Sequence, residues 1–391
     1  MKLKWLFTLA FICLGLIYAH AQNQTSTPQL FYSLKAGPGK VLEAYSLMPE
    51  TKPSVFTAFE FGKAADGSSE WHSYLNYPEY GCEILYGNLN NDFLGNVYAV
   101  QPFLRWKLRE HNKPFEINFS AGLGFAYFTE KYHFFDNPEN GLIGSHITNY
   151  TKGEMEMGYR FKHWRIFASI GAFHFSNGHV KLPNIGANVP EAKVGVTWFN
   201  VSSDKSVSKS SIQHVQDSTW IPLARLATGL HAYGSTMKPF GGKSFPVYSA
   251  GFAMAKNVSA AYRISFGLMA GYYSGYNGFL LSEMKLPETE AFTNASYVTG
   301  FFGQELMMGK IAVYGEFGID VFKPFIRNYG DVFDIETGFG GFVKSYNSNR
   351  LGLKFYLHEI NQSGFNANIG VFIKANYAQA EFAECALEIV F

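Results

Sequence analysis

The feature that most constrains this chain is a period-two alternation that recurs along it, with carboxylates on the side opposite the bulky apolar residues. In 117–127 the odd positions are Ile117, Phe119, Ala121, Leu123, Phe125 and Tyr127, and the even ones are Asn118, Ser120, Gly122, Gly124 and Ala126. In 311–321 Ile311, Val313, Phe317, Ile319 and Val321 oppose Tyr314, Glu316, Gly318 and Asp320. The last segment places Ala383, Cys385, Leu387, Ile389 and Phe391 against Glu384, Ala386 and Glu388. Alternation of this kind is the signature of β-strands with two unlike faces. A dry sandwich core does not accept carboxylates on its inner face without partners. A transmembrane barrel does better, with the apolar face turned to lipid and the polar face inside. The expected fold is therefore all-β, a transmembrane antiparallel β-barrel, with a secreted β-sandwich as the rival. The terminal strand closing on Phe391 resembles the C-terminal signature of bacterial outer-membrane barrels.

Composition agrees. Aromatic residues make up 17% and charged residues only 16%, with 39 glycines among 391 residues. Mean hydropathy is -0.06, far below that of a helical membrane protein. The 32 basic and 31 acidic residues leave a net charge of +1, so there is no basic excess for nucleic acid. Lys2 and Lys4, the apolar run Trp5 to Tyr18 and Ala19-His20-Ala21 read as a signal peptide over residues 1–21, so the mature chain is expected to start near Gln22. Cys13 would leave with it. Cys82 and Cys385 remain, both expected on lipid-facing positions and so unlinked. No later stretch reaches the roughly 18 apolar residues of a membrane helix. The location implied is the outer membrane of a Gram-negative envelope.

The chain also carries an internal resemblance. Tyr77–Gly81 matches Phe245–Ser249, Phe115–Thr129 matches Ile311–Lys323, and Arg165–Ser176 matches Gly364–Ala375. Residues 22–200 form the first half and 219–391 the second, with a polar linker or loop at 201–218. Each half has room for about eight membrane-length strands, about sixteen in total. One wide barrel is the favoured closure, because a single closed sheet leaves no free edge; two eight-stranded barrels are the alternative.

The chemistry concentrates at residues 173–188. Trp164, Ile166, Ala168, Ile170 and Ala172 share one outward apolar face, and the next members of that face are His174 and Ser176. A histidine and a serine side by side at the end of a lipid-facing stripe suit ester cleavage in a lipid, with His174 as base and Ser176 as nucleophile. Asn177, Gly178 and the turn Pro183-Asn184-Ile185-Gly186 follow. The eleven histidines are scattered, without HExxH or Cys–His spacing, so no metal is expected. His72, His146 and His179 read as turn or rim residues, and Gly338-Phe339-Gly340-Gly341 as strand rather than a phosphate loop.

His174-Phe175-Ser176-Asn177-Gly178 followed by Pro183-Asn184-Ile185-Gly186 resembles the PagL family of outer-membrane lipid A 3-O-deacylases, also called acyloxyacyl hydrolases. Asn137-Pro138-Glu139-Asn140 and Ile143-Gly144-Ser145-His146 resemble the family too, and the likeness spans roughly residues 30 to 200. It implies an eight-stranded barrel with a Ser–His–acid site on its outer wall, acting on lipid A without a cofactor. By the same resemblance Ser176 is the nucleophile, His174 the base, and Asn184 with the N–H near Gly178 the oxyanion hole, with Asn177 a further oxyanion or substrate-binding candidate. The family's acid lies fourteen residues after the histidine, where this chain has Asn188. Asn188 can hold the imidazole in the right tautomer but stabilises its charged form poorly. Glu191, Glu154 and Glu156 are the other candidates for the third member. Glu191 requires that the segment after Pro190 carry a bulge or still be loop, because in a regular strand an odd offset turns it to the opposite face. The second half carries Ile373 and Ala375 where the first has His174 and Ser176. The leading expectation is a serine esterase removing an ester-linked acyl chain from lipid A. The alternatives are a phospholipase or other lipid esterase, and a non-catalytic barrel, either a pore or a structural protein.

Overall fold

The computed structural model describes residues 29–46, 48–109, 113–201, 219–232, 234, 242–329, 342–343, 345–360, 364–376 and 379–391. The proposed signal peptide, nearly all of the proposed linker and the 338–341 glycine run lie outside the described residues. The first eight strands are β1 (Leu30–Gly39), β2 (Ser54–Ala64), β3 (Glu79–Asn88), β4 (Asn96–Lys107), β5 (Phe115–Phe128), β6 (Ile147–Phe161), β7 (Trp164–Ser176) and β8 (Ala187–Phe199). The next are β9 (Ile221–His231), β10 (Phe245–Ser259), β11 (Tyr262–Tyr273), β12 (Ser296–Met308), β13 (Ile311–Phe322), β14 (Asn347–Tyr356), β15 (Asn366–Asn376) and β16 (Gln379–Val390). Among the described residues, no helix is long and apolar enough to cross a membrane.

The chain forms two closed eight-stranded antiparallel barrels, the alternative closure read from the sequence rather than the single wide one it favoured. β8 turns back to pair with β1, Phe199 opposite Phe31. β16 pairs with β9, Cys385 opposite Thr228. The argument from free edges holds for either closure, since each ring leaves none. What decides is the local pairing of β8 with β1 rather than with β9. By contacts the chain divides into residues 1–176 with 185–212, and residues 177–184 with 213–391. Two of the internal matches fall on equivalent strands, β5 with β13 and β7 with β15. The third does not: Tyr77–Gly81 runs into the third strand of its barrel, and Phe245–Ser249 opens the second strand of the other.

The alternation in the sequence is the alternation of the walls. In the first barrel Lys35, Glu60, Glu83, Arg105, Glu154, Glu156 and Arg165 are buried in the interior. Lys35 pairs with Glu60 and lies 2.6 Å from Glu154 and 3.1 Å from Glu83. Arg105 contacts Glu60 at 2.5 Å and Glu156 at 2.9 Å, and Arg165 contacts Glu79 at 2.9 Å. The second barrel repeats the chemistry with other residues. Arg225 meets Glu316 at 3.0 Å and Glu388 at 2.9 Å; Arg350 meets Glu384 at 2.6 Å and also pairs with Glu316; Lys354 meets Glu305 at 2.5 Å. Outside, Ile166, Ile170, Val194, Leu226, Leu268 and Phe317 are exposed, as a lipid-facing belt requires. Both cysteines are free. Cys385 is exposed as expected, but Cys82, though on an outward position, is buried with Phe61 and Val100.

Above the ionic layer the first interior is closed by rings. Phe56 packs on Phe173 at 5.1 Å and Phe128 on Phe175 at 5.0 Å between ring centroids, and Tyr150 stacks on Phe175 at 5.2 Å. Removing one partner from a buried ion pair leaves an uncompensated charge, worth about 3–5 kcal/mol. Arg350→Leu is therefore expected to destabilise the second barrel by that amount. The readout is a lower temperature for the SDS-gel mobility shift between folded and unfolded barrel. Ile369→Leu, on the outward face, is expected to leave that temperature unchanged.

Candidate active site

The upper end of β7 is where the sequence puts a histidine and a serine, and the fold explains how they are held. Phe173 and Phe175 are buried among the interior rings described above. With those two anchored inside, the pleat turns His174 and Ser176 outward. The outward stripe below them is exposed at Trp164, Ile166, Ala168, Ile170 and Ala172, as expected. Its upper end differs from the expectation of open lipid contact: His174 is half-buried, and Ser176 is only 6% exposed. Ser176 is the last residue of the strand.

His174 lies across from Asn188 in the β7–β8 ladder and across from Thr151 in the β6–β7 ladder. The Asn188 Oδ1 stands 2.8 Å from His174 Nδ1. An amide oxygen only accepts, so Nδ1 carries the proton and donates it. That leaves Nε2 as the basic nitrogen. Asn188 thus occupies the orienting position that a carboxylate fills in a Ser–His–acid triad.

The other candidates for the third member are elsewhere. Glu191 falls on a regular stretch of β8, opposite Gly171 on one side and Gly39 on the other, with no bulge to bring it outward. It is buried in the interior, paired with Lys193 and 3.3 Å from Lys152. Glu154 is interior too, 2.6 Å from Lys35 and 2.8 Å from Lys152. Glu156 lies 2.9 Å from Arg105. Period two separates all three from His174 by the thickness of the wall.

Past Ser176 the loop is organised by asparagines. The Asn177 N–H donates to Asn184 Oδ1 at 3.0 Å, and Asn177 Nδ2 donates to the Lys181 carbonyl at 2.7 Å. Gly178 and His179 follow one another in the left-handed region, at φ +67° and +65°. This double turn suits glycine and is uncommon for histidine. Burial pushes the His179 imidazole down to about 4, so it is neutral around pH 7.

Gly186 has a specific reason to be glycine. Its φ is +82°, and a Cβ there would stand 2.7 Å from His174 Cε1 and 2.8 Å from the Phe175 carbonyl oxygen. The backbone passes against the catalytic candidate's ring, and only a residue without a side chain leaves that ring in place. The 129–146 loop braces this passage: Ile185 N–H donates to the Gly141 carbonyl at 3.2 Å, and Gly186 N–H to the Leu142 carbonyl at 3.1 Å. Asn140 secures the loop in turn, donating to the Phe93 carbonyl at 2.7 Å and accepting from Ile143 N–H at 3.0 Å. The Asn137–Asn140 and Ile143–His146 segments noted in the sequence are thus scaffold for the turn beside His174.

The remaining histidines singled out earlier have structural partners. His72 is buried beside Trp71 and Tyr80, accepts from Gly67 N–H at 3.2 Å and lies 3.4 Å from Asp66. His146 Nδ1 is 2.8 Å from the Phe128 carbonyl. Among the described residues, Glu60, Glu154 and Glu156 converge closely enough to surround a cation. Lys35 and Arg105 already supply the positive charge there.

Residues 60–197 match the family model for lipid A 3-O-deacylase, PagL, so the first barrel carries that family's signature. The solved outer-membrane enzyme PagL aligns at 16% identity over 42% of this chain and 97% of that chain, with a TM-score of 0.29. A porin triple mutant from Rhodopseudomonas blastica aligns at 8% identity over 93% and 99% of the two chains, TM-score 0.18. OpdK of Pseudomonas aeruginosa, solved with vanillate, aligns at 10% identity over 93% and 97%, TM-score 0.21. No curated protein matches.

Proposed function

We propose that this chain is an outer-membrane serine esterase that removes an ester-linked acyl chain from lipid A, at the 3-O position. The observation that carries the reading is the 2.8 Å contact of His174 Nδ1 with Asn188, on the same outer wall as Ser176 and inside the segment matching the deacylase family. In this reading Ser176 Oγ attacks the acyl carbonyl as His174 Nε2 takes its proton. The carbonyl oxygen becomes negative, and the donors assigned to it are the Asn184 NH2 and the Gly178 N–H. Collapse of the tetrahedral intermediate breaks the ester C–O bond, and the imidazolium returns its proton to the departing sugar hydroxyl. Water then attacks the acyl-enzyme by the same route, releasing the fatty acid and restoring Ser176. No cofactor enters.

Buried ion pairs inside both barrels, and the ring layer inside the first, favour the esterase reading over a pore. A phospholipase would use the same residues and differ only in the head group accepted.

The test is mass spectrometry of lipid A from envelopes holding wild type or Ser176→Ala. The expected result is loss of one hydroxyacyl mass with wild type and none with the variant. Unchanged lipid A with folded wild type would remove this substrate. A second expectation follows from the neutral third member. Asn188 holds the tautomer but offers no charge to the imidazolium. Asn188→Glu is therefore expected to raise kcat by at least about tenfold, measured on the same substrate; an unchanged or lower kcat would contradict the role given to Asn188.

A further inference from the structure

The esterase reading leaves unexplained a polar residue on β6. Asn149 stands on the outward face, half-buried, on the same face as exposed Ile147 and opposite exposed Phe125 on β5. A carboxamide in an apolar wall is costly unless it holds something. It does. Asn149 is the cross-strand partner of Ser176, the uppermost pair of the β6–β7 ladder. The Ser176 N–H donates to its Oδ1 at 2.9 Å.

We propose that Asn149 is the positioning residue for the nucleophile. The proposal rests on the esterase reading above. A strand end frays unless its last amides find partners. Ser176 is the last residue of β7, and its hydroxyl is the one that must be placed most closely. The Asn149 side chain accepts the N–H of this last residue and holds the Ser176 backbone from the outer side, while Phe175 holds it from the interior. A second consequence concerns the oxyanion. In many serine hydrolases the nucleophile's own N–H, or that of the residue after it, stabilises the developing charge. In this chain the Ser176 N–H is committed to Asn149, and the next N–H, of Asn177, to Asn184 Oδ1. Neither of these two N–H groups is among the donors that the family resemblance assigns to the oxyanion, the Gly178 N–H and the Asn184 NH2. Asn149 acts through Ser176 and touches no substrate atom in this scheme.

The experiment compares wild type, Asn149→Leu and Asn149→Asp as full-length, folded barrels, checked by heat-shifted mobility on SDS gels. Two quantities are read: steady-state hydrolysis of a medium-chain p-nitrophenyl ester in detergent micelles, and hydrogen–deuterium exchange at the Ser176 amide. Leucine keeps the volume but cannot accept. It is expected to lower kcat about tenfold or more, with KM within about twofold, and to speed exchange at Ser176, since a small misplacement of a reacting atom is expensive. Aspartate accepts the same N–H and is expected to recover most of kcat and the slow exchange. Wild-type kcat in Asn149→Leu would overturn the proposal, as would lost kcat with Ser176 exchange unchanged. If wild type hydrolyses no ester while exchange still responds to Asn149→Leu, the esterase reading fails and the positioning role fails with it, although the contact itself stands.

Discussion

The pairing of buried charges inside each barrel is the constraint on which everything else depends. Lys35, Arg105 and Arg165 with their glutamates in one barrel, and Arg225, Arg350 and Lys354 with theirs in the other, are compensated only when every strand is in register. A slip of one residue turns a strand's whole interior set outward. An arginine or lysine at mid-membrane on the lipid face costs about 2–4 kcal/mol, and its abandoned partner inside costs more. The networks thus act as a register lock. Because register is locked, Phe173 and Phe175 must point in, and His174 and Ser176 must point out.

From that follows how the proposed site on the outside of the barrel is held with few residues. The wall supplies parallel positions on neighbouring strands: Asn149, Ser176, His174 and Asn188 sit on adjacent strands at the upper rim. Each is set by cross-strand pairing rather than by a loop of its own. The loops supply what pairing cannot, chiefly the Gly186 backbone pressed against the imidazole and the 129–146 segment behind it. The second barrel shares the interior chemistry but carries apolar residues where the first has His174 and Ser176. Ile373 and Ala375 stand on β15, the strand equivalent to β7.

The wall architecture was legible in the sequence because period two is read residue by residue. The inward set Glu316, Gly318 and Asp320, and the outward set Ile117, Phe119 and Phe125, stand where alternation put them. The same parity argument separated Glu191 from Asn188, and the structure places Glu191 inside beside Lys193. Closure was not legible. Whether β8 returns to β1 depends on curvature and long-range pairing, which alternation does not encode. The burial of Ser176 and of Cys82 was missed for a related reason, since period two gives the direction of a side chain and not what lies over it. Asn149 was missed because its role is to receive a main-chain N–H, and a lone asparagine in a strand carries no spacing that announces this. Its signal was being polar on an otherwise apolar outward face.

The central claim is that Ser176 is an activated nucleophile on the outer wall, with His174 as its base. The most direct measurement is covalent capture: incubation of the folded protein with an alkyl fluorophosphonate, followed by intact mass and peptide mapping. The account predicts a single adduct on Ser176 Oγ, strongly reduced when His174 is replaced by glutamine. Absence of an adduct on folded protein, or an adduct carried by any other residue, would contradict it.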